Sequence, residues 1–475
     1  QGALTYFQFI GSDGVAELWR SDGTASGTQR LLRQPGTDAG PIRYAGTLAT
    51  PFFVASLNGR GNELITTDGT TTGTRIVADI VPGAEGPNIG NGFAVLGGRL
   101  YFSIDSQLWR TDGTEAGTLR ITTLDRIADP FTTIVNIQPF DGALYVFTSE
   151  DRGWTMWRSD GSATGTTAFF FGSFDTDGSV GNELLRSSSG ALLFIRSGGG
   201  GANSTLWRTD GTPAGTMAVT ATEPDLSGIF GLSQLADGRQ VFLADTARYG
   251  RELWITDGTD VGTRLVIDLA PGTDSPNVIA PVTPFGNGFV FTAISSFSSG
   301  RAPWFSDGTA AGTYHLATLD TRLDSTNLSS SDVTPLGNVA YFWTAPFGLL
   351  GETVTATLWR FDPVARSVSS TATLATINGI DILGSLNSRL LLIPNDPQLG
   401  RELWSSDGTA GGTRLLADLA PQTANGDASP GRLAALGDSV LFAATDGVRG
   451  RGLWRTDGTA AGTTRLSDGA PTEVS

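Results

Sequence analysis

The chain has 475 residues, 39% of them apolar, with 64 Gly, 22 Pro and a formal net charge of -16. That charge, with no basic patch along the sequence, argues against a nucleic-acid or anionic-membrane partner, since such binding is driven by counterion release at neutralised phosphates. The absence of Cys and the presence of one His exclude disulfides, thiolate nucleophiles, Cys-ligated zinc and multi-histidine metal centres, and no run approaches the roughly 18 apolar residues of a transmembrane helix.

Read in chain order, the sequence is an internal repeat. Its fixed point is an Asp that recurs at Asp22, Asp68, Asp112, Asp160, Asp210, Asp257, Asp307, Asp362, Asp407 and Asp457, at steps of 44 to 55 residues. This period belongs to propeller blades and lies beyond that of ankyrin or leucine-rich repeats. The first unit opens on a strand over 3–7, in mid-repeat, and the start at Gln1 leads us to expect that an N-terminal part has been removed. In the third unit Leu96-Gly97-Gly98-Arg99 predicts a tight turn between its first two strands. The seventh unit shows all four strands, A over 278–282, B over 289–292, C over 302–305 and D over 313–317, with an A–B turn at Phe285-Gly286-Asn287-Gly288. No apolar pattern of period 3.6 persists for ten residues, so almost no helix is expected. The last unit ends on a strand over 463–466, which leaves open whether strand A of the first unit comes from upstream, from the tail, or is missing.

Strands C and D are joined by Ser21-Asp22-Gly23-Thr24-Ala25-Ser26-Gly27-Thr28 and its copies. The Asp carboxylate is expected to accept backbone N–H groups of the turn it opens. Two glycines at fixed offsets mark positions that are left-handed or too crowded for a side chain. Nine of the ten copies keep both glycines; the eighth, Phe361-Asp362-Pro363-Val364-Ala365-Arg366-Ser367, has Pro363 and Ser367 instead, which predicts a different loop and an irregular blade. Trp19, Trp109, Trp157, Trp207, Trp254, Trp304, Trp359, Trp404 and Trp454 share one place on strand C, with Ile65 standing there in the second unit. A large residue at a repeated position is expected to fill the wedge between neighbouring sheets rather than to stack on sugars. The fold class expected is therefore all-β: a β-propeller of about ten four-stranded antiparallel blades spanning 1–475, as a single ring in preference to two tandem propellers.

Glu17-Leu18-Trp19-Arg20-Ser21-Asp22-Gly23-Thr24, Glu252-Leu253-Trp254-Ile255-Thr256-Asp257-Gly258-Thr259 and Glu402-Leu403-Trp404-Ser405-Ser406-Asp407-Gly408-Thr409 carry a further reading. Through them, and through looser copies over essentially its whole length, the chain resembles the bacterial proteins that bear the ELWxxDGT repeat. The resemblance implies a large exported or surface protein and brings no activity with it.

Chemistry is sparse. The lone His315 falls on a predicted strand without a neighbouring nucleophile or second ligand, so it reads as a strand position. The conspicuous acids are the repeated turn aspartates, and a lone acid site is left to Glu150, Asp151, Asp175, Asp177, Glu183 or Glu352. Asp175 and Asp177 have hard-oxygen spacing and are the weak candidates for calcium, although the run lacks the other ligands of an EF-hand loop. No other cofactor and no catalytic residue is expected. Trp154 and Trp343 fall outside the repeated Trp position and, with Phe347 and Glu352, are the candidate binding-loop residues. The segments that vary most are 175–181, 196–204, 295–301 and 346–357. The leading functional expectation is a secreted or bacterial cell-surface binding or scaffold protein that presents loops to a protein or polysaccharide partner. The alternatives are a carbohydrate-active enzyme with a carboxylate pair at the channel mouth, and a lectin.

Overall fold

In the computed structural model, strands that follow one another in sequence pair antiparallel, so each repeat closes into its own meander and ten separate sheets result. The structure describes residues 4–10, 13–36, 40–57, 61–83, 86–126, 128–174, 185–197, 204–220, 223, 225–271, 277–294, 302–318, 320, 323, 328–330, 333–346, 352–377, 379–421, 428–431 and 434–467. Each sheet carries one of the ten motif aspartates at its C–D connection, and we number the blades 1 to 10 accordingly.

Blade 7 shows why the segments fold as they do. Asn277–Phe285 and Gly288–Ile294 meet with Phe285 opposite Gly288, leaving a two-residue turn in which Gly286 has φ 61°. A two-residue turn also closes Ile89–Leu96 onto Arg99–Ile104, and here both residues, Gly97 and Gly98, are left-handed (φ 56° and 72°). Two consecutive left-handed residues match the twist of the flanking strands, and glycine adopts that conformation without steric cost. Ala302–Ser306 and Tyr314–His315 complete blade 7. Its strand D is shorter than the 313–317 expected, because the chain turns into a 3-10 turn at Leu316–Thr318 that buries Leu316 and Ala317.

The alternation of strand B places one set of side chains against each neighbouring blade. Val241 and Leu243 of blade 6 pack with Phe289 and Phe291 of blade 7, whereas Phe242 and Ala244 pack with Leu193 and Leu206 of blade 5. Both faces of every sheet are thus covered, which a lone four-stranded sheet cannot achieve. First strands of adjacent blades touch, as Ile89–Leu96 does Thr133–Phe140, which sets them on the inner circumference. The contact is close: a Cβ at Gly92 would lie 2.9 Å from the Ile137 nitrogen.

The last blade meets the first. Phe7 of blade 1 is buried with Ala434, Leu436, Leu441 and Leu453 of blade 10, and Trp19 packs beside them. The ten blades therefore form a single closed ring. Blade 1 has three described strands, Thr5–Ile10, Ala16–Ser21 and Gln29–Arg33, and the seam is sealed by face-to-face packing. Blade 8 is irregular, as its degenerate hairpin predicts: two short segments, Leu328–Ser330 and Thr334–Leu336, share the edge of Val339–Pro346, and its last two strands, Thr353–Asp362 and Ser367–Ile377, are 10 and 11 residues long.

Candidate functional site

The repeated hairpin is a closed hydrogen-bond circuit. Asp22 Oδ1 accepts from the Thr24 N–H (2.9 Å) and the Thr24 hydroxyl (2.7 Å), while Thr24 Oγ1 accepts from the Gly27 N–H (2.9 Å). Thr28 donates its hydroxyl to the Thr24 carbonyl (2.7 Å) and lies 2.8 Å from Ser21 Oγ, which accepts from the Gly23 N–H (3.0 Å). The same circuit surrounds Asp257 and Asp457. The bonds from Thr24 hold the Asp22 carboxyl below its ordinary range, and those from Thr459 do so for Asp457. The two glycines answer two different demands. The first is left-handed, with φ from 85° at Gly211 to 95° at Gly113. The second has no room, since a Cβ at Gly27 or Gly262 would lie 1.9 Å from the Asp carboxylate. Blade 8 dispenses with the circuit: Asp362 Oδ1 accepts from the Val364 and Ala365 N–H groups, and Arg366 takes the left-handed position at φ 48°.

The repeated tryptophans pack between blades, four of them buried and Trp19, Trp109, Trp157, Trp207 and Trp404 half-buried against the inter-blade clusters. Trp254 is 0% exposed against blade 5, and Trp304, Trp359 and Trp454 are likewise buried against the blade that precedes them. Ile65 fills the same place against blade 1. Several indole N–H groups find partners nearby: Trp19 donates to Glu17 (2.9 Å), Trp109 to Gln107 (3.2 Å) and Trp207 to Thr205 (3.0 Å). Burial opposes the charge of Glu17, but bonds from Arg33, Trp19 and Arg30 outweigh it and hold the carboxyl low. In blades 6 and 9 the equivalent Glu instead anchors the chain leaving strand D. Glu252 accepts from the Ala270 N–H (2.9 Å), and Glu402 from the Leu419 and Ala420 N–H groups. Burial, with Asp268 and Asp418 close by, pushes these carboxyls up to about 7 and about 8 respectively. Both are 0% exposed, so they brace connections and do not reach a substrate.

A meander separates its connections by face. A–B turns and C–D hairpins leave one rim of the ring, and B–C and D–A connections leave the other. The variable segments 175–181, 196–204, 295–301 and 346–357 are all B–C or D–A connections, so the described residues flanking them sit on the second rim, opposite the regular hairpins. On that rim blade 4 carries a cavity of about 380 Å³ lined by Arg126, Glu150, Arg152 and Phe171. The Arg126 guanidinium lies 4.1 Å from the centroid of the Phe171 ring and 3.8 Å from Glu150 Oε2, and Glu150 Oε1 accepts from the Thr155 hydroxyl (2.6 Å). Phe171 is 56% exposed at the end of strand D, and Phe131, in the connection entering the blade, is 70% exposed.

The sequence-derived candidates divide. Trp154 and Trp343, expected in exposed roles, are buried at 4% and 7%. Trp154 stands on strand C of blade 4 among Tyr145, Phe147 and Phe194, and Trp343 on strand B of blade 8 among Leu358, Leu390 and Leu392. Each faces the next blade, so both belong to inter-blade cores. Glu352 is exposed at the foot of strand C of blade 8. Asp175, Asp177 and Phe347 lie outside the described residues. Among the described residues no three His, Cys, Asp or Glu side chains converge as a metal site. His315 is 6% exposed, with its ring stacked 5.0 Å from that of Trp304. Sequence reasoning reached Glu150 but missed Arg126, Phe131 and Phe171. The signal for Phe171 was the run Phe169-Phe170-Phe171, in which only Phe171 is left exposed.

These features define a ten-bladed β-propeller with one regular and one variable rim. No family model matches the chain, and no curated protein matches it. Solved structures resemble it at the level of shape. A structure titled as the eukaryotic initiation factor has 10% identity and a TM-score of 0.42, over 87% of this chain and 96% of that one. Puromycin hydrolase, as its S511A mutant, has 13% identity and a TM-score of 0.36 over 75% of this chain, which spans 58% of the hydrolase. Oligogalacturonate lyase in complex with manganese has 13% identity and a TM-score of 0.34, over 66% of this chain and 85% of that one. At these scores the likenesses carry no functional argument, and the fold rests on the strand pairing itself.

Proposed function

We propose that the ring is a binding or scaffold protein of the cell exterior, related to the ELWxxDGT repeat proteins, which engages a protein or glycan partner through its variable rim. The carrying observation is the segregation of chemistry. On the hairpin rim the repeated aspartates are tied into turn circuits, and the repeated tryptophans pack between blades, buried at Trp254, Trp304, Trp359 and Trp454 and half-buried at the other five positions. The irregular connections leave the opposite rim, where Phe171 stands exposed beside Arg126 and Arg152 and Phe131 is exposed in the connection entering the same blade. Aromatic side chains, Phe among them, and arginine are enriched at protein interfaces relative to the rest of the surface.

The test is binding of the full chain to the surface proteins and surface polysaccharides of the producing cell, compared with Phe171→Ala and Arg152→Glu variants. Both positions are exposed, so the fold should hold. Weakening of a saturable interaction by about tenfold or more in either variant would support this reading. Binding that both variants retain in full, or turnover of a bound glycan, would contradict it.

A further inference from the structure

The junction between blades 7 and 8 leaves room for a ligand where four other junctions are stapled. Elsewhere an Arg of one blade donates to the carbonyl of the first hairpin glycine of the next: Arg75 to Gly113 (3.2 Å), Arg110 to Gly161 (3.1 Å), Arg208 to Gly258 (3.2 Å) and Arg264 to Gly308 (2.7 Å). Arg110 and Arg208 directly follow the motif Trp. In blade 7 that position is Phe305, and in blade 8 the receiving glycine is replaced by Pro363. The two hairpins stand around a cavity of about 500 Å³ whose polar and aromatic wall includes Asn287, Asp307, Thr309, Tyr314 and Arg366. That volume is within the usual range of small-molecule sites, ~300–1,000 Å³.

Its groups are arranged to be bridged. The Arg366 guanidinium lies 4.6 Å from the centroid of the Tyr314 ring and also interacts with the Tyr314 hydroxyl, so the two side chains form one wall of the cavity. Asp307 directs Oδ1 to the Thr309 N–H (2.8 Å) and hydroxyl (2.6 Å). Asp307 and Arg366 line the same cavity from the two hairpins. A ligand that joins them must donate to a carboxylate, accept from a guanidinium and lay an apolar face on Tyr314, Pro363 and Val364. A pyranose ring does all three: adjacent hydroxyls both donate and accept, and its C–H face packs on aromatic and aliphatic surface.

We propose that the cavity between the hairpins of blades 7 and 8 is a subsite for one neutral hexose residue of an oligosaccharide. It lies on the hairpin rim, opposite the surface assigned above, so the two readings stand or fall separately. Ala311→Trp fills the cavity from an exposed loop position, and Arg366→Asn removes the guanidinium while keeping a residue that tolerates the left-handed backbone. Neither change touches the hydrogen bonds of Asp307 or Asp362. The full chain is titrated by calorimetry and saturation-transfer NMR with neutral gluco-, galacto- and manno-configured hexasaccharides, and with glycylglycine as a zwitterion. At least one hexasaccharide should bind, and each variant should weaken it by about tenfold or more at unchanged melting temperature, with Phe171→Ala binding as the parent does. Absence of binding across the panel, binding that survives Ala311→Trp, or preference for glycylglycine overturns the assignment. Should Ala311→Trp lower the melting temperature, Arg366→Asn alone decides.

Discussion

Gly161 of blade 4 sits against the Tyr101 hydroxyl of blade 3, where a Cβ would lie 2.3 Å from the oxygen. Gly211 stands in the same relation to Tyr145 (2.3 Å) and Gly408 to Tyr341 (2.0 Å). Across the seam a Cβ at Gly23 would lie 2.9 Å from Leu436 Cδ2, so the close approach recurs where the ring closes. The first hairpin glycine thus serves the blade's own turn and its fit to the preceding blade.

Gly161→Ala should cost about 2–4 kcal/mol, since it combines left-handed strain at φ 86° with a clash against a neighbouring blade. Gly142→Ala, at φ 72° in an A–B turn with nothing within 4 Å, should cost only about 1 kcal/mol. Equal losses in denaturant unfolding would show that the inter-blade contact contributes nothing.

The second hairpin glycine makes a sharper claim. Gly262→Ala should destabilise because its Cβ would lie 1.9 Å from Asp257 Oδ1. In an Asp257→Ala background that oxygen is gone, so the same glycine change should cost at least ~1 kcal/mol less. Additive losses would disprove the crowding explanation.

Trp154→Ala and Trp343→Ala should each lower stability by about 3–5 kcal/mol, the usual range for a buried Trp, without a selective effect on partner binding. Thermal melts read beside binding assays separate the two outcomes. A variant that keeps its melting temperature but loses binding would return these residues to a contact role.

Much of this architecture was legible in the sequence, and the residues say why. The Asp step, the two hairpin glycines and the repeated Trp each report a local or nearest-neighbour constraint, so a periodic sequence repeats them visibly. Other features depend on what crosses between elements. Trp19 pairs with Arg30 while Leu18 pairs with Leu32, so Leu31 is bulged into the core. The same bulge places Val266 between Leu265 and Ile267 in blade 6. Such a bulge breaks the two-residue alternation from which strand faces are read. Trp154 and Trp343 were misjudged for a related reason: lying off the repeated position, they have no periodic partner, and only the packing of the next blade shows that they are covered. The pocket at blades 7 and 8 is lined by both Phe305 and Pro363, residues 58 positions apart.

Stability should fall between pH 4.5 and 8. Glu252 and Glu402 titrate in the folded ring at about 7 and about 8, above the 4.5 of an unperturbed Glu, because burial disfavours their charge. Over that window the folded state holds more protons than the unfolded one, so raising the pH favours unfolding, by at most roughly 3 kcal/mol for Glu252. Glu252→Gln and Glu402→Gln should flatten the slope. Below pH 3.8 the sign reverses, because turn aspartates such as Asp22 and Asp457 have lowered values and lose stabilising bonds on protonation. A melting temperature that rises from pH 5 to 8 would refute the assignment of the two glutamates.

The most direct test of the whole account is imaging of single particles of the full chain by electron microscopy. A closed ten-bladed ring predicts face-on averages with one annulus, one central hole and ten radial densities, the density between the blades of Phe7 and Leu441 being continuous. Two lobes, an open crescent, or a different number of blades would contradict it.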